Sequence, residues 1–155
     1  MSATDIHDAL YKMTGGNNHK SESHRLNFLR ESIENMNKEE LDNFFRGCIN
    51  DCPYLYNYDM IHMIVEAGGT PKDDRAFINT CRLVDPKITQ LFLELGANPH
   101  AKNGKALDIA LRYNRNDEND GMELCTLLLE LGVKITAEAI SNALSGTGSC
   151  VKEKL

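Results

Sequence analysis

The sequence predicts an all-α protein built from successive helix pairs, and three observations predict it. The word Leu-Glu-Leu-Gly occurs at 93–96 and again at 129–132, with a near copy, Val-Glu-Ala-Gly, at 65–68. Before each glycine, apolar residues stand at i, i+3, i+4 and i+7: Met60, Met63, Ile64 and Ala67; Ile88, Leu91, Phe92 and Leu95; Leu124, Leu127, Leu128 and Leu131. That spacing is one face of an α-helix. Each glycine then falls one position past the stripe, where a helix ends in a left-handed residue that glycine enters without a Cβ clash.

The elements follow in chain order. Residues 4–13 form a short helix or a loose terminus, and 14–23, Thr-Gly-Gly-Asn-Asn-His-Lys-Ser-Glu-Ser, form a polar linker. Residues 24–36 place Leu26, Phe28, Leu29 and Ile33 at helical spacing, so 1–38 make an N-terminal helical cap. From 39 to 144 the unit is turn, helix, short link, helix, glycine. Its first helices are 39–50, 74–84 and 105–114, and its second helices are the three glycine-stopped ones. Pro71 behind Thr70 suits a first helical position after an N-cap, and Asp73 and Asp74 favour the positive helix start. Thr136 caps a last half unit over 137–144, and 145–155 is expected to be a disordered tail. No unit buries its apolar face alone, so neighbours must stack.

Composition narrows the function classes. The chain has 155 residues, 41% hydrophobic and 26% charged, which suffices for one domain or a short repeat array. Its formal net charge is −6 with no concentrated basic face, so neither nucleic acid nor an anionic membrane is an expected partner. No apolar run approaches the ~18 residues of a spanning helix. The start carries neither a basic n-region nor an apolar h-region, so no signal peptide is expected. Cys48, Cys52, Cys81, Cys125 and Cys150 are odd in number and irregularly spaced. Buried thiols in a reducing compartment, hence an intracellular, cytoplasmic setting in the source organism or in a host cell, is the expectation.

Residues 91–111, Leu-Phe-Leu-Glu-Leu-Gly-Ala-Asn-Pro-His-Ala-Lys-Asn-Gly-Lys-Ala-Leu-Asp-Ile-Ala-Leu, resemble an ankyrin repeat junction. The likeness lies in Gly96-Ala97-Asn98, then Asn103-Gly104, then the word from Lys105 to Ala110 that stands where the family has Thr-Pro-Leu-His-x-Ala. It covers about 39–144 and implies about three repeats with a C-terminal half repeat. Asp108 stands where the family has a histidine that bonds the turn backbone; a carboxylate accepts such bonds but cannot reproduce them all. The glycines are 28 and 36 positions apart, against a family period of about 33. The long link 113–121 and shortened turns account for this, as in a divergent, viral- or effector-style member.

No motif carries an enzyme's chemistry. Cys48 and Cys52 lie four apart without a second ligand pair, and His19 and His24 sit in a polar segment, so no metal is expected. Asn116 to Gly121 fails as a calcium loop, because Asn116 would be its first ligand and Leu127 its last. The Gly-x-Gly near the end lacks a preceding strand, so no phosphate cradle and no cofactor is expected. No local signature joins a nucleophile to a base. His62 is expected on a partly exposed helix face.

What remains is a non-enzymatic protein-interaction module. The resemblance implies binding through turn tips and first helices: Lys72, Asp73, Asp74, Arg75, Asn79, Arg82, His100, Lys102, Asn103, Asp108 and Arg112, extended by Lys134 and Thr136. Their mixed charge suits a polar protein face. Tyr54, Tyr56 and Tyr58 recur at period two in the link 53–59, either as binding hot spots or as rings covering the stack's outer face. The alternative is a structural protein that self-associates or packs into a larger assembly such as a virion, through tyrosines or apolar residues bare at an incomplete cap.

Overall fold

The computed structural model describes residues 1–15, 20–52, 55–70, 74–83, 85–113, 118–142 and 144, apart from the side chains of 113, 118–120 and 142. Its elements are α1 (Ala3–Thr14), α2 (Glu22–Ile33), α3 (Lys38–Asn50), α4 (Tyr58–Glu66), α5 (Asp74–Thr80), a 3₁₀ turn (Cys81–Leu83), α6 (Pro86–Glu94), α7 (Ala101–Tyr113), α8 (Glu118–Glu130) and α9 (Ala137–Asn142). Among the described residues there is no strand, and no helix is long and apolar enough to cross a membrane. Most starts are written in the sequence. Ser2 with Asp5, and Asn37 with Glu40, form capping boxes, while Ser21, Asn57 and Asp85 accept from the backbone of their first turns. Thr136 caps α9 as expected, its hydroxyl 3.0 Å from the Ala139 nitrogen.

The chain divides into two compact units, Met1–Lys72 and Asp73–Leu155. The division falls inside the stretch 39–144. In the first unit α1 packs on α2 and α3, and α4 packs on α2 and α3. Thus α1 lies beside α3 and α2 beside α4, and α1 and α2 also pack on each other. In the second unit α7 packs against α5, the 3₁₀ turn, α8 and α9, while α6 packs against α5 and α8. The expected link 113–121 is shorter than its composition suggests, because α8 already begins at Glu118. The tail 145–155 lies outside the described residues.

The glycine stops are as the sequence predicts. Gly68, Gly96 and Gly132 have φ of 100°, 90° and 77°. In each, the glycine N–H donates three residues back and the next N–H five back: Gly68 to Val65 and Gly69 to Ile64, Gly96 to Leu93 and Ala97 to Phe92, Gly132 to Leu129 and Val133 to Leu128. These are three Schellman closures, which satisfy carbonyls a helix end otherwise leaves open.

The buried stripe is rotated from the expected one. Met60, Ile61 and Ile64, then Ile88, Thr89 and Phe92, then Leu124, Cys125 and Leu128 are buried, the i, i+1, i+4 positions of each helix. Met63, Leu91 and Leu127 are only half-buried, and Ala67, Leu95 and Leu131 are exposed. The i+3 and i+7 positions lie on the edge of the helix that turns away from its neighbours.

Among the described residues two carboxylates are buried: Asp42 ties its helix to a distant turn, and Asp108 pairs with cations on its own helix. Asp42 on α3 is 2% exposed; its Oδ1 accepts from Lys38 Nζ at 2.6 Å and from the Thr70 backbone N–H at 2.8 Å. Lys38 Nζ also reaches the Gly68 carbonyl at 2.8 Å and the Thr70 hydroxyl at 2.9 Å. Thr70, expected to cap α5, gives its hydroxyl to this cluster instead. Asp108 on α7 is 1% exposed and accepts from Lys105 Nζ at 2.7 Å. Lys105 and Arg112 both bond Glu138 of α9.

Replacing Leu128 by Ala should destabilise the chain by about 2–5 kcal/mol, Leu127 by less, and Leu131 by well under about 1 kcal/mol. Urea unfolding of the three variants checks that order. Asp42→Ala leaves the Thr70 N–H without its acceptor and should cost about 1–3 kcal/mol, with Asp42→Asn recovering part.

Candidate functional site

The turn from α6 into α7 is the most distorted exposed backbone among the described residues. Asn98 Oδ1 accepts from the His100 N–H at 3.0 Å and sets the turn. Then Lys102 (φ 50°, ψ 47°), Asn103 (φ 57°, ψ 42°) and Gly104 (φ 77°, ψ 26°) are all left-handed. The regular part of α7 therefore begins at Lys105. Two contacts hold this tip. Ala101 is buried, and Gly104 lies so close to 133–134 that a Cβ there would stand 3.0 Å from the Lys134 carbonyl oxygen. His100, Lys102 and Asn103 are consequently left in solvent. A left-handed lysine costs about 1–2 kcal/mol, and asparagine less because it enters that region readily; such strain gathers where a surface has work other than folding.

Other expected contact residues share the second unit. Asp74 and Arg75 are exposed at the start of α5, Asn79 and Arg82 are half-buried, and α5 and the 3₁₀ turn pack on α7. Arg112 donates to Glu138 at 2.8 Å. Lys134 is exposed, whereas Thr136 is half-buried and used as a cap. Lys72, Asp73 and Tyr54 lie outside the described residues.

Two expected contacts are corrected. Asp108 is buried beneath Lys105 and Arg112 and pairs with both within α7 rather than facing solvent. Lys105 and Glu138 carry the exposed side of that network. The hydrogen bond to Asp108, then that to Glu138, raises the Lys105 pKa. A Lys three residues before an Asp on a helix was the available signal.

Tyr56 is the second correction, since it is 3% exposed and belongs to the core of the first unit. Its ring meets Phe44 and His7 edge-on, with centroids 6.2 and 5.6 Å away. His7 stacks on Phe44 at 5.1 Å, and its Nδ1 lies 2.5 Å from the Tyr56 hydroxyl. Tyr58 is half-buried and stacks on the half-buried His62 at 5.6 Å. Burial, then the nearby Cys48, pushes the Tyr56 phenol well above its ordinary value. Burial lowers the His7 pKa, against the pull of Asp51 and Asp8. Both shifts favour a neutral imidazole bonded to a neutral phenol at neutral pH.

Three of the described thiols are held in their protonated form by their surroundings. Burial raises Cys48 well above its ordinary range and pushes Cys81 up to about 12. Cys52 is raised by burial and then by Asp51 and Asp8. Among the described residues no three His, Cys, Asp or Glu side chains are grouped to hold a metal ion.

No family model, curated protein or solved structure matches this chain. What its surfaces can do rests on their own geometry.

A histidine with a lowered folded pKa binds fewer protons folded than unfolded. Stability therefore falls as pH drops through the unfolded value of 6.5 and goes on falling until the lowered value is passed. Between about pH 7 and about pH 5, the melting temperature should fall more steeply for the natural chain than for His7→Asn. Equal slopes would show that His7 does not carry this dependence.

Proposed function

We propose that the chain is a divergent ankyrin-like repeat protein and a non-enzymatic interaction module, binding a polar, mixed-charge face of a partner protein. The helix pairs α1–α2, α3–α4, α5–α6 and α7–α8 are taken as repeats of one unit, with α9 as a half repeat. Support for the repeat reading comes from the three equivalent glycine closures and from the first-to-first and second-to-second packing inside each unit. The binding surface is the tip His100–Asn103 with Asp74, Arg75 and Arg112. The observation that carries it is the left-handed run at an exposed, polar tip anchored from below. A pre-shaped tip binds with little ordering cost.

A second reading, self-assembly, is favoured by Leu131, Ile135, Ile140 and Leu144, which are exposed from just past α8 to just past α9. Light scattering on the purified chain separates the two: a monomer at working concentration disposes of self-assembly.

The double variant His100→Ala/Lys102→Ala should melt within about 0.5 kcal/mol of the natural chain and lose partner capture from native extract. A collapse in stability with capture retained would place the tip in the fold rather than in binding. Lys102→Gly should raise stability by up to about 1 kcal/mol through relief of the left-handed backbone, while still weakening capture.

A further inference from the structure

We propose that the cleft between α1 and the end of α3 is a binding site for a small organic ammonium ion whose apolar body lies along the cleft wall. It lies wholly in the first unit and is independent of the tip surface. The cleft encloses about 480 Å³, within the usual range of about 300–1,000 Å³ for small-molecule sites.

The wall combines an apolar body with unpaired negative charge. From α1 come His7, Asp8 and Tyr11; from the end of α3 and the link come Asp51, Cys52 and Leu55. Tyr11 is 71% exposed and offers aromatic surface at the mouth, which suits a cation. Asp8 and Asp51 have no ion pair among the described residues, though both border the cleft. Both lie near enough to the lining residues His7 and Cys52 to exert an upward pull on the pKa values of those two groups. Arg25, on the α2 side, is the one lysine or arginine among the described wall residues, and its Nε is buried without a hydrogen-bond partner.

Gly47 lies beside two of the lining residues. A Cβ there would stand 3.1 Å from His7 Nε2 and 3.7 Å from Asp51 Oδ2, so the missing side chain lets imidazole and carboxylate close over the same turn of α3. Neutral His7 adds no positive charge to compete with a cation. A bare metal ion is poorly served, because no three ligating side chains converge among the described residues. An anion meets two carboxylates. An ammonium with an apolar body matches both features of the wall.

The full chain is titrated with phenethylammonium chloride while the His7 imidazole C–H signals are followed by NMR, with 2-phenylethanol and phenylacetate as neutral and anionic counterparts. The ammonium should give saturable shifts, the alcohol should bind about tenfold more weakly, and phenylacetate should not bind. Asp8 and Asp51 are exposed, so Asp8→Asn and Asp51→Asn keep the fold, which circular dichroism checks. Each should weaken binding about three- to fivefold, and the double variant about tenfold. Equal affinity for the alcohol, binding of phenylacetate, undiminished affinity in the double variant, or no saturable shift with phenethylammonium overturns the proposal. N-acetyl-lysine N-methylamide tests the other source of an ammonium. A tighter response to it than to phenethylammonium would mark a peptide side chain as the ligand and overturn the free amine.

Discussion

Each unit hangs on a carboxylate taken out of water. Asp42 and Asp108 are buried on first helices, and each is compensated by a lysine one turn earlier on the same helix. An unpaired buried charge would be too costly to keep, so the partners must stay in place. In the first unit this fixes Thr70 and Gly68 against α3. In the second it fixes α9 against α7 through Glu138. Without that tie the glycine closures would still end the helices, but Thr70 and α9 would lose their charged anchors.

The helical plan was legible because its signals are local. A glycine one residue beyond an apolar stripe predicts a left-handed stop, and Gly68, Gly96 and Gly132 are such stops. Caps such as Asn37 with Glu40 are equally local. The stripe's exact edge was less legible. Spacing shows that one face is apolar, but the neighbours decide whether Ile61 or Ala67 is covered. The pairing of α1 with α2 was hidden by the polar, glycine-rich stretch between them.

The site residues divide on the same principle. His100, Lys102 and Asn103 were legible as an exposed tip because turn chemistry is local. Tyr56 was not, since its burial depends on partners far along the chain, and at Asp108 the local lysine was legible but the burial was not. Tyr56 lies 49 positions from His7, and a period-two run of tyrosines carries no sign that one of them turns inward. The cleft of the first unit is of this kind throughout. Asp8, Cys52 and Leu55 belong to no common motif, and only the docking of α1 on α3 brings them together.

Gly47 sits inside α3, where glycine is the second-worst helix former after proline. Alanine there would favour the helix locally yet wedge its methyl group against a ring that has little freedom to retreat, being stacked on Phe44 and bonded to Tyr56. Helix content and tertiary order would then move in opposite directions: α3 would gain intrinsic stability while the amino-terminal helix loosened its seat. The first unit thus accepts a weaker helix as the condition for a closer fit between helices.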